Sequence, residues 1–139
     1  MTTTVSDSMR TNVITADRND TVLSAARSMR QSAIGDVVVT DKGRLHGIVT
    51  DRDLVVRCMA EALDPEATRL DDICSQGAVT LSPDDELDTA IQRMKDSAVR
   101  RLPVVSDDRV VGILSLGDLA QIRERHSALG EVSAAPPNA

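Results

Sequence analysis

The residues best suited to chemistry occur twice. Gly47-Ile48-Val49-Thr50-Asp51-Arg52-Asp53 and Gly112-Ile113-Leu114-Ser115-Leu116-Gly117-Asp118 share a glycine, two aliphatics, a hydroxyl and an acid three residues later. Each stretch reads as a strand running into a helix. A helix start offers unbonded amides and a positive dipole end, which suit a phosphate. The hydroxyl adds a donor, and a carboxylate beside it can accept two hydrogen bonds from a vicinal diol. Hydroxyl plus acid at one helix start therefore fits a ribose phosphate. A purely local role competes with this one. Thr50 or Ser115 as N-cap and Asp53 or Asp118 at N3 would form a capping box, although Glu or Gln is the usual N3 residue.

Other reactive residues are few. Cys58 and Cys74 are 16 apart and form no CxxC, and His46 and His126 are the only histidines. This spacing carries no zinc signature, so free buried thiols are expected, with a redox pair as the minority reading. His46 reads as a surface or packing residue. Arg123, Arg125 and His126 make a basic cluster on the last helix, favourable at its C-terminal end. No nucleophile stands beside a candidate base and no ligand cluster is visible, so an enzyme is not expected.

The elements that position the motif are themselves duplicated. Residues 5–54 align with 70–119 at an offset of 65, without a gap. Identical columns include Asp7/Asp72, Asp20/Asp85, Ala25/Ala90, Met29/Met94, Gly47/Gly112 and Asp53/Asp118. Each copy predicts a short extended piece (Val13–Thr15; Ala78–Thr80) and then a helix. The helix starts are read at Asp17 and at Ser82, with Pro83 at N1. Apolar spacing at Val22, Ala25, Ala26, Met29 and Ala33, and at Leu87, Ala90, Ile91, Met94 and Ala98, gives the buried stripes. A β-hairpin follows in each copy, turning at Asp41-Lys42-Gly43 and at Ser106-Asp107-Asp108. Pro103 belongs at a strand start or edge. Closing helices run from about 51 to 63 and from about 116 to 129, with Gly130 as a stop.

The expected class is therefore α+β, a mixed α/β chain of two βαββα repeats packed as a pseudo-twofold pair. The repeats span 5–65 and 66–130, and 131–139 is read as a disordered tail. Neither copy alone would build an adequate core. The wide apolar coverage of the helix carrying Leu54, Val55, Val56, Cys58, Met59, Ala62 and Leu63 points to burial on more than one side, extending to a second chain.

Composition narrows the partners. The 139 residues are 41% hydrophobic and 27% charged, with a net charge of −6. The pI is about 4.8. An acidic chain is a poor binder of nucleic acid or anionic membrane. There is no Phe, Trp or Tyr, which disfavours base-stacking readers of single strands. No apolar run is long enough to span a bilayer and no secretory signal is visible, so a cytoplasmic location is expected.

With the repeat, the doubled Gly-aliphatic-aliphatic-Thr/Ser-x-x-Asp motif and Val99-Arg100-Arg101-Leu102-Pro103-Val104-Val105, the chain resembles a tandem pair of cystathionine β-synthase (CBS) domains, or Bateman module. Among its members it resembles small stand-alone actinobacterial stress proteins. The resemblance implies a regulatory, non-catalytic module with clefts between the repeats for adenine nucleotides (AMP, ADP or ATP) or S-adenosylmethionine, and no other cofactor. By position, Asp53 and Asp118 would hold ribose hydroxyls, and Thr50 and Ser115 phosphate or ribose. Thr15, Ala16, Thr80 and Leu81 would meet the adenine edge. Val37, Val38, Leu102 and Pro103 would wall the base, and Arg52, Arg100 and Arg101 would face phosphate. Gly35-Asp36 stands where the second copy has Arg100-Arg101, so the two pockets should differ in preference. A homodimer and an unidentified effector protein are the implied partners. The competing readings are a ligand-free interaction protein, in which the hydroxyl–acid pairs only cap helices, and a redox-responsive protein acting through Cys58 and Cys74.

Overall fold

The computed structural model describes residues 3–76 and 79–125. The features expected at Ala78, His126, Gly130 and 131–139, and of the side chains of Arg123 and Arg125, lie outside the described residues. The chain is mixed α and β, as expected, and it forms two compact units. Among the described residues one unit comprises 12–76 with 107–110, and the other 3–11, 79–106 and 111–125. Each compact unit therefore takes residues from both sequence repeats. The leading segment 3–11 belongs with the elements of the second repeat, and its counterpart at offset 65, residues 68–76, belongs with those of the first.

The first unit holds β1 (Thr15–Asp17), α1 (Val22–Ser32), β2 (Asp36–Asp41), β3 (Arg44–Thr50), α2 (Asp51–Asp53), α3 (Leu70–Ile73) and β4 (Ser75–Gln76). Its sheet has the order β1-β2-β3-β4, with β1 parallel to β2 and the other pairs antiparallel. The other unit holds a 3-10 turn (Val5–Asp7), α4 (Leu87–Ser97), β5 (Arg101–Ser106), all of β6 (Arg109–Ser115) but its first two residues, and α5 (Leu116–Arg125). Here β5 and β6 form the sheet, and single bridges replace the outer strands: Leu81 parallel to Val104, and Arg10 antiparallel to Ile113. These bridges fall at the positions of Ala16 against Val39 and Ser75 against Ile48 in the first unit. The same sheet is built twice.

Both hairpins form where the sequence places them. Their tips have positive φ, at Lys42 (53°) and Gly43 (82°) and at Asp107 (52°) and Asp108 (64°). Such turns match the right-handed twist of the flanking strands. Pro103 is the third residue of β5 rather than its first, and the strand's outer side is bridged there by Leu81, whose N–H donates to Pro103 O at 2.9 Å.

The helix starts differ from expectation. Helix α1 begins at Val22 under Thr21, whose side chain accepts from Ser24 N, and α4 begins at Leu87. Asp17 and Ser82 instead open turns, each giving its N–H to the acid three residues on: Asp20 Oδ2 at 3.0 Å and Asp85 Oδ2 at 2.8 Å. Pro83 is thus a turn residue. A hydroxyl or acid three residues before an acid brackets a turn as well as a first helical turn, and the pattern does not tell them apart.

Ala33 and Ala98 are not stripe positions. Each is a left-handed C-cap, with φ 55° and 53°. The helix after β3 continues from α2 as a π-helical stretch, Leu54–Met59, and ends before Leu63. Ala60 N donates to Val55 O (2.8 Å) and Leu63 N to Cys58 O (3.0 Å). The wider turn is rare and recurs at functional sites.

Each unit has its own aliphatic core. The first gathers Val22, Ala25, Met29, Val37, Val39, Val49, Cys58, Leu70, Ile73 and Cys74. The other gathers Val5, Leu81, Ala90, Met94, Leu102, Val104, Leu114 and Leu119. Burying each large aliphatic contributes about 1.5–3 kcal/mol. Without aromatics, many small contributions must replace a few large ones.

Candidate functional site

The doubled motif lies at the exit of the hairpin's second strand in each unit. Thr50 is extended (φ −112°, ψ 164°) and ends β3, so the chain turns directly into a helix. Thr50 N donates to Asp53 Oδ2 at 2.8 Å, and Asp53 N donates to Thr50 Oγ1 at 3.2 Å. Ser115 N donates to Asp118 Oδ2 at 3.0 Å, and Asp118 N to Ser115 Oγ at 3.1 Å. Both capping boxes are complete. Shorter Asp closes the box in place of Glu, fixing its carboxylate beside the helix start.

The box does not consume the carboxylate. It takes Oδ2 and leaves Oδ1 for a second donor. In the first unit Oδ1 forms a longer ion pair with the Arg57 guanidinium, whose Nε lies 3.8 Å away. The Thr50, Asp53, Ser115 and Asp118 side chains are all half-buried, and Arg52 is exposed. Each junction is tied to the entry of the preceding hairpin: Asp51 N donates to Gly35 O (3.0 Å), and Leu116 N to Arg100 O (2.8 Å). The fold thereby brings the Gly35/Arg100 position to the motif in both units. Asp36 is buried, Arg101 half-buried and the Arg100 side chain exposed. The position after Gly35 thus carries an acid, Asp36, where the position after Arg100 carries a base, Arg101.

The remaining positions sit on neighbouring strands. Thr15 is exposed and Ala16 half-buried on β1, beside β2. Thr80 is half-buried and its carbonyl accepts from Arg93 Nη1 at 2.8 Å. Leu81 is a core residue whose N–H bonds Pro103 O at 2.9 Å. Val37 and Leu102 belong to the cores, whereas Val38 and Pro103, next along their strands, project from the opposite face. Both pairs are buried.

One cluster has no counterpart in the sequence reading. Asp71 accepts from Arg18 Nη2 at 2.8 Å and lies 2.6 Å from His46 Nε2. Arg18 Nη1 also reaches Asp41 at 3.1 Å. Arg18 and His46 hold the Asp71 carboxyl below its ordinary range, chiefly through the Arg18 hydrogen bond. Cys74 sits beside them, and burial pushes its thiol up. A ring nitrogen of His46, a carboxylate oxygen of Asp71 and Cys74 Sγ all lie within 4.8 Å of one another. Separations of 25 and 3 residues match no local ligand pattern. The one available signal was His46 standing opposite Val111 in the repeat. Both cysteines are free and buried, and Cys58 Sγ is 3.6 Å from Leu63 O.

Two copies of one α+β unit, each presenting a capped hydroxyl–acid pair at a strand-to-helix junction, define a tandem regulatory module. The chain belongs to the CBS domain family, whose model matches residues 5–59 and 70–125. It is 39% identical over 116 residues to the CBS domain-containing protein YhcV of Bacillus subtilis, covering 84% of this chain and 82% of that protein. It is 32% identical over 133 residues to hypoxic response protein 1 of Mycobacterium tuberculosis, covering 95% and 93%. Among solved structures it is similar to hypoxic response protein I with two coordinated zinc ions (TM-score 0.77, 32% identity, 86% of this chain and 98% of that one). It is also similar to the CBS domain pair of protein MJ0100 in complex with 5′-methylthioadenosine and S-adenosyl-L-methionine (TM-score 0.82, 26% identity, 91% and 100%). Among the described residues no helix is long and apolar enough to cross a membrane.

Proposed function

We propose that this CBS pair is a non-catalytic sensor of adenine nucleotides that signals to a separate protein through a change of conformation or assembly. The observation that carries the reading is the way both capping boxes hold an aspartate. Oδ2 is committed to the backbone, and Oδ1 remains beside a hydroxyl and a helix start, where a ribose diol and its phosphate would find complementary groups. The adenosyl ligands of the MJ0100 pair support the ligand class. Opposite charges at Asp36 and Arg101 favour unequal affinity, with the more anionic nucleotide at the second junction. We assign the protein to the cytoplasm, as a homodimer with a role in stress response; the likeness to hypoxic response protein 1 supports that role.

The second reading, caps without a ligand, also has an observation behind it. Asp7, Asp72, Asp20 and Asp85 make the same Oδ2-to-amide brace as Asp53 and Asp118, so the brace alone accounts for an acid at these positions. Absorbance separates the two readings. With no Trp or Tyr the pure protein is nearly transparent near 280 nm. A nucleotide band in the purified chain, identified by mass spectrometry after heat release, and a rise in melting temperature with AMP, ATP or S-adenosylmethionine support sensing. No band and no shift with any of them would leave only the caps.

A further inference from the structure

We propose that His46, Asp71 and Cys74 form a site for one transition-metal dication, with zinc the best fit. The three donors come from β3, α3 and the residue after α3, and they converge to within 4.8 Å. Donors about 2.0–2.3 Å from a zinc ion sit roughly 3.5 Å apart, so small side-chain shifts suffice. The metal would take the place of the proton shared by His46 Nε2 and Asp71 Oδ1, now 2.6 Å apart. Mixed nitrogen, oxygen and thiolate donors select a borderline-soft ion over calcium or magnesium. Cys74 is buried, while His46 and Asp71 are half-buried, which leaves a fourth position open to water.

The fold does not require this cluster. At offset 65 the other unit places Val111, Ser6 and Met9 where the first has His46, Asp71 and Cys74. Met9 lies against Gly112 there as Cys74 lies against Gly47. The same backbone is thus built with no metal-binding set at these positions.

Charge also favours a dication. Arg18 bonds Asp71 Oδ2, leaving Oδ1 to His46, and Asp41 offsets Arg18. Asp41, Asp71 and a metal-bound Cys74 thiolate carry three negative charges beside the one positive charge of Arg18. On binding, the Cys74 S–H bond breaks and its proton goes to solvent, the proton between His46 Nε2 and Asp71 Oδ1 is transferred through solvent to His46 Nδ1, and the sulfur–, nitrogen– and oxygen–metal bonds form; no electron is transferred.

The test is a cobalt(II) titration of the reduced, chelator-stripped full chain. Its near-ultraviolet window is clear because aromatic residues are absent. The expected result is a thiolate-to-cobalt charge-transfer band saturating at one equivalent per chain and displaced by zinc. His46→Val and Cys74→Met copy the other unit and should keep native circular dichroism. Each should weaken binding by more than about tenfold. Should His46→Val unfold, His46→Gln takes its place. Absence of the band, or a band that survives Cys74→Met and disappears in Cys58→Ser, overturns the site. Neither outcome bears on nucleotide binding.

Discussion

Gly47 lies against the backbone of Ser75 so closely that no side chain could stand between them. A Cβ on Gly47 would collide with the Ser75 carbonyl oxygen and come within 3.1 Å of its carbon and 3.3 Å of Cys74 Sγ. That approach lets β4 pair with β3. Gly112 repeats the arrangement against Met9 and Arg10, where a Cβ would stand 2.9 Å from Met9 Cγ and 3.0 Å from Arg10 O. The glycine of the shared motif thus admits a neighbouring segment, and the Thr/Ser and Asp further on carry the polar chemistry. Gly47→Ala should destabilise the protein by about 2–3 kcal/mol, because a backbone carbonyl must move. Gly112→Ala should cost about 1 kcal/mol less, since much of its clash is with a flexible methionine side chain. Urea unfolding of the two variants measures the difference; equal losses would contradict it.

The caps make a second expectation. Thr50→Ala and Ser115→Ala each remove the acceptor for the N3 amide and should cost about 1 kcal/mol. The two losses should agree closely, since the boxes match to within a few tenths of an ångström. If nucleotide binds, Asp53→Asn and Asp118→Asn should reduce ligand-induced stabilisation by more than they reduce intrinsic stability. Thermal shifts with and without ATP separate these effects. Parallel losses in both would favour the purely structural role.

The repeat, the hairpins and the capped junctions were legible because each is a local pattern written twice. The boundaries between units were not. Nothing in Val5-Ser6-Asp7 or Leu70-Asp71-Asp72 says which sheet the segment will join, and the outcome rests on carbonyls such as Asp85 O for Val5 N and Asp20 O for Leu70 N. Helix starts were misplaced because Asp20 and Asp85 brace turns with the same spacing that braces a helix. The cluster around Asp71 was invisible for another reason. Its members at 18, 41, 46, 71 and 74 meet only once the sheet is formed.

Ala33 and Ala98 give a sharper test of the backbone. Both end a helix in the left-handed region, φ/ψ 55°/44° and 53°/40°. The residue after each, Ile34 or Val99, donates to the carbonyl of Met29 or Met94 at 3.1 Å. Alanine is strained there and glycine is not. Ala33→Gly and Ala98→Gly should each stabilise the chain by about 0.5–1 kcal/mol, the relief outweighing the greater entropy of the unfolded glycine. Replacement by Val should destabilise more than replacement by Gly stabilises. A loss of melting temperature in both glycine variants would refute the assigned conformation.

The π-helical stretch carries the expectation of a homodimer. Val55 is 51% exposed, Val56 46% and Met59 72%, with Leu63 at 44% just beyond. Four large apolar groups on one short segment form a patch that a monomer rarely leaves in water. The segment is tied to its own unit by Arg57 Nη1 donating to Ile73 O at 3.0 Å and by buried Cys58. A charge placed at Met59 therefore falls on the surface and not in the core. Met59→Glu should leave the fold and urea midpoint of a monomer intact, within about 0.5 kcal/mol, while it shifts the sedimentation profile from two chains to one. Arg57→Ala would loosen the segment itself and lower stability as well. A wild-type chain that sediments as a monomer across the micromolar range would remove the dimer, and the exposed face would then need another partner.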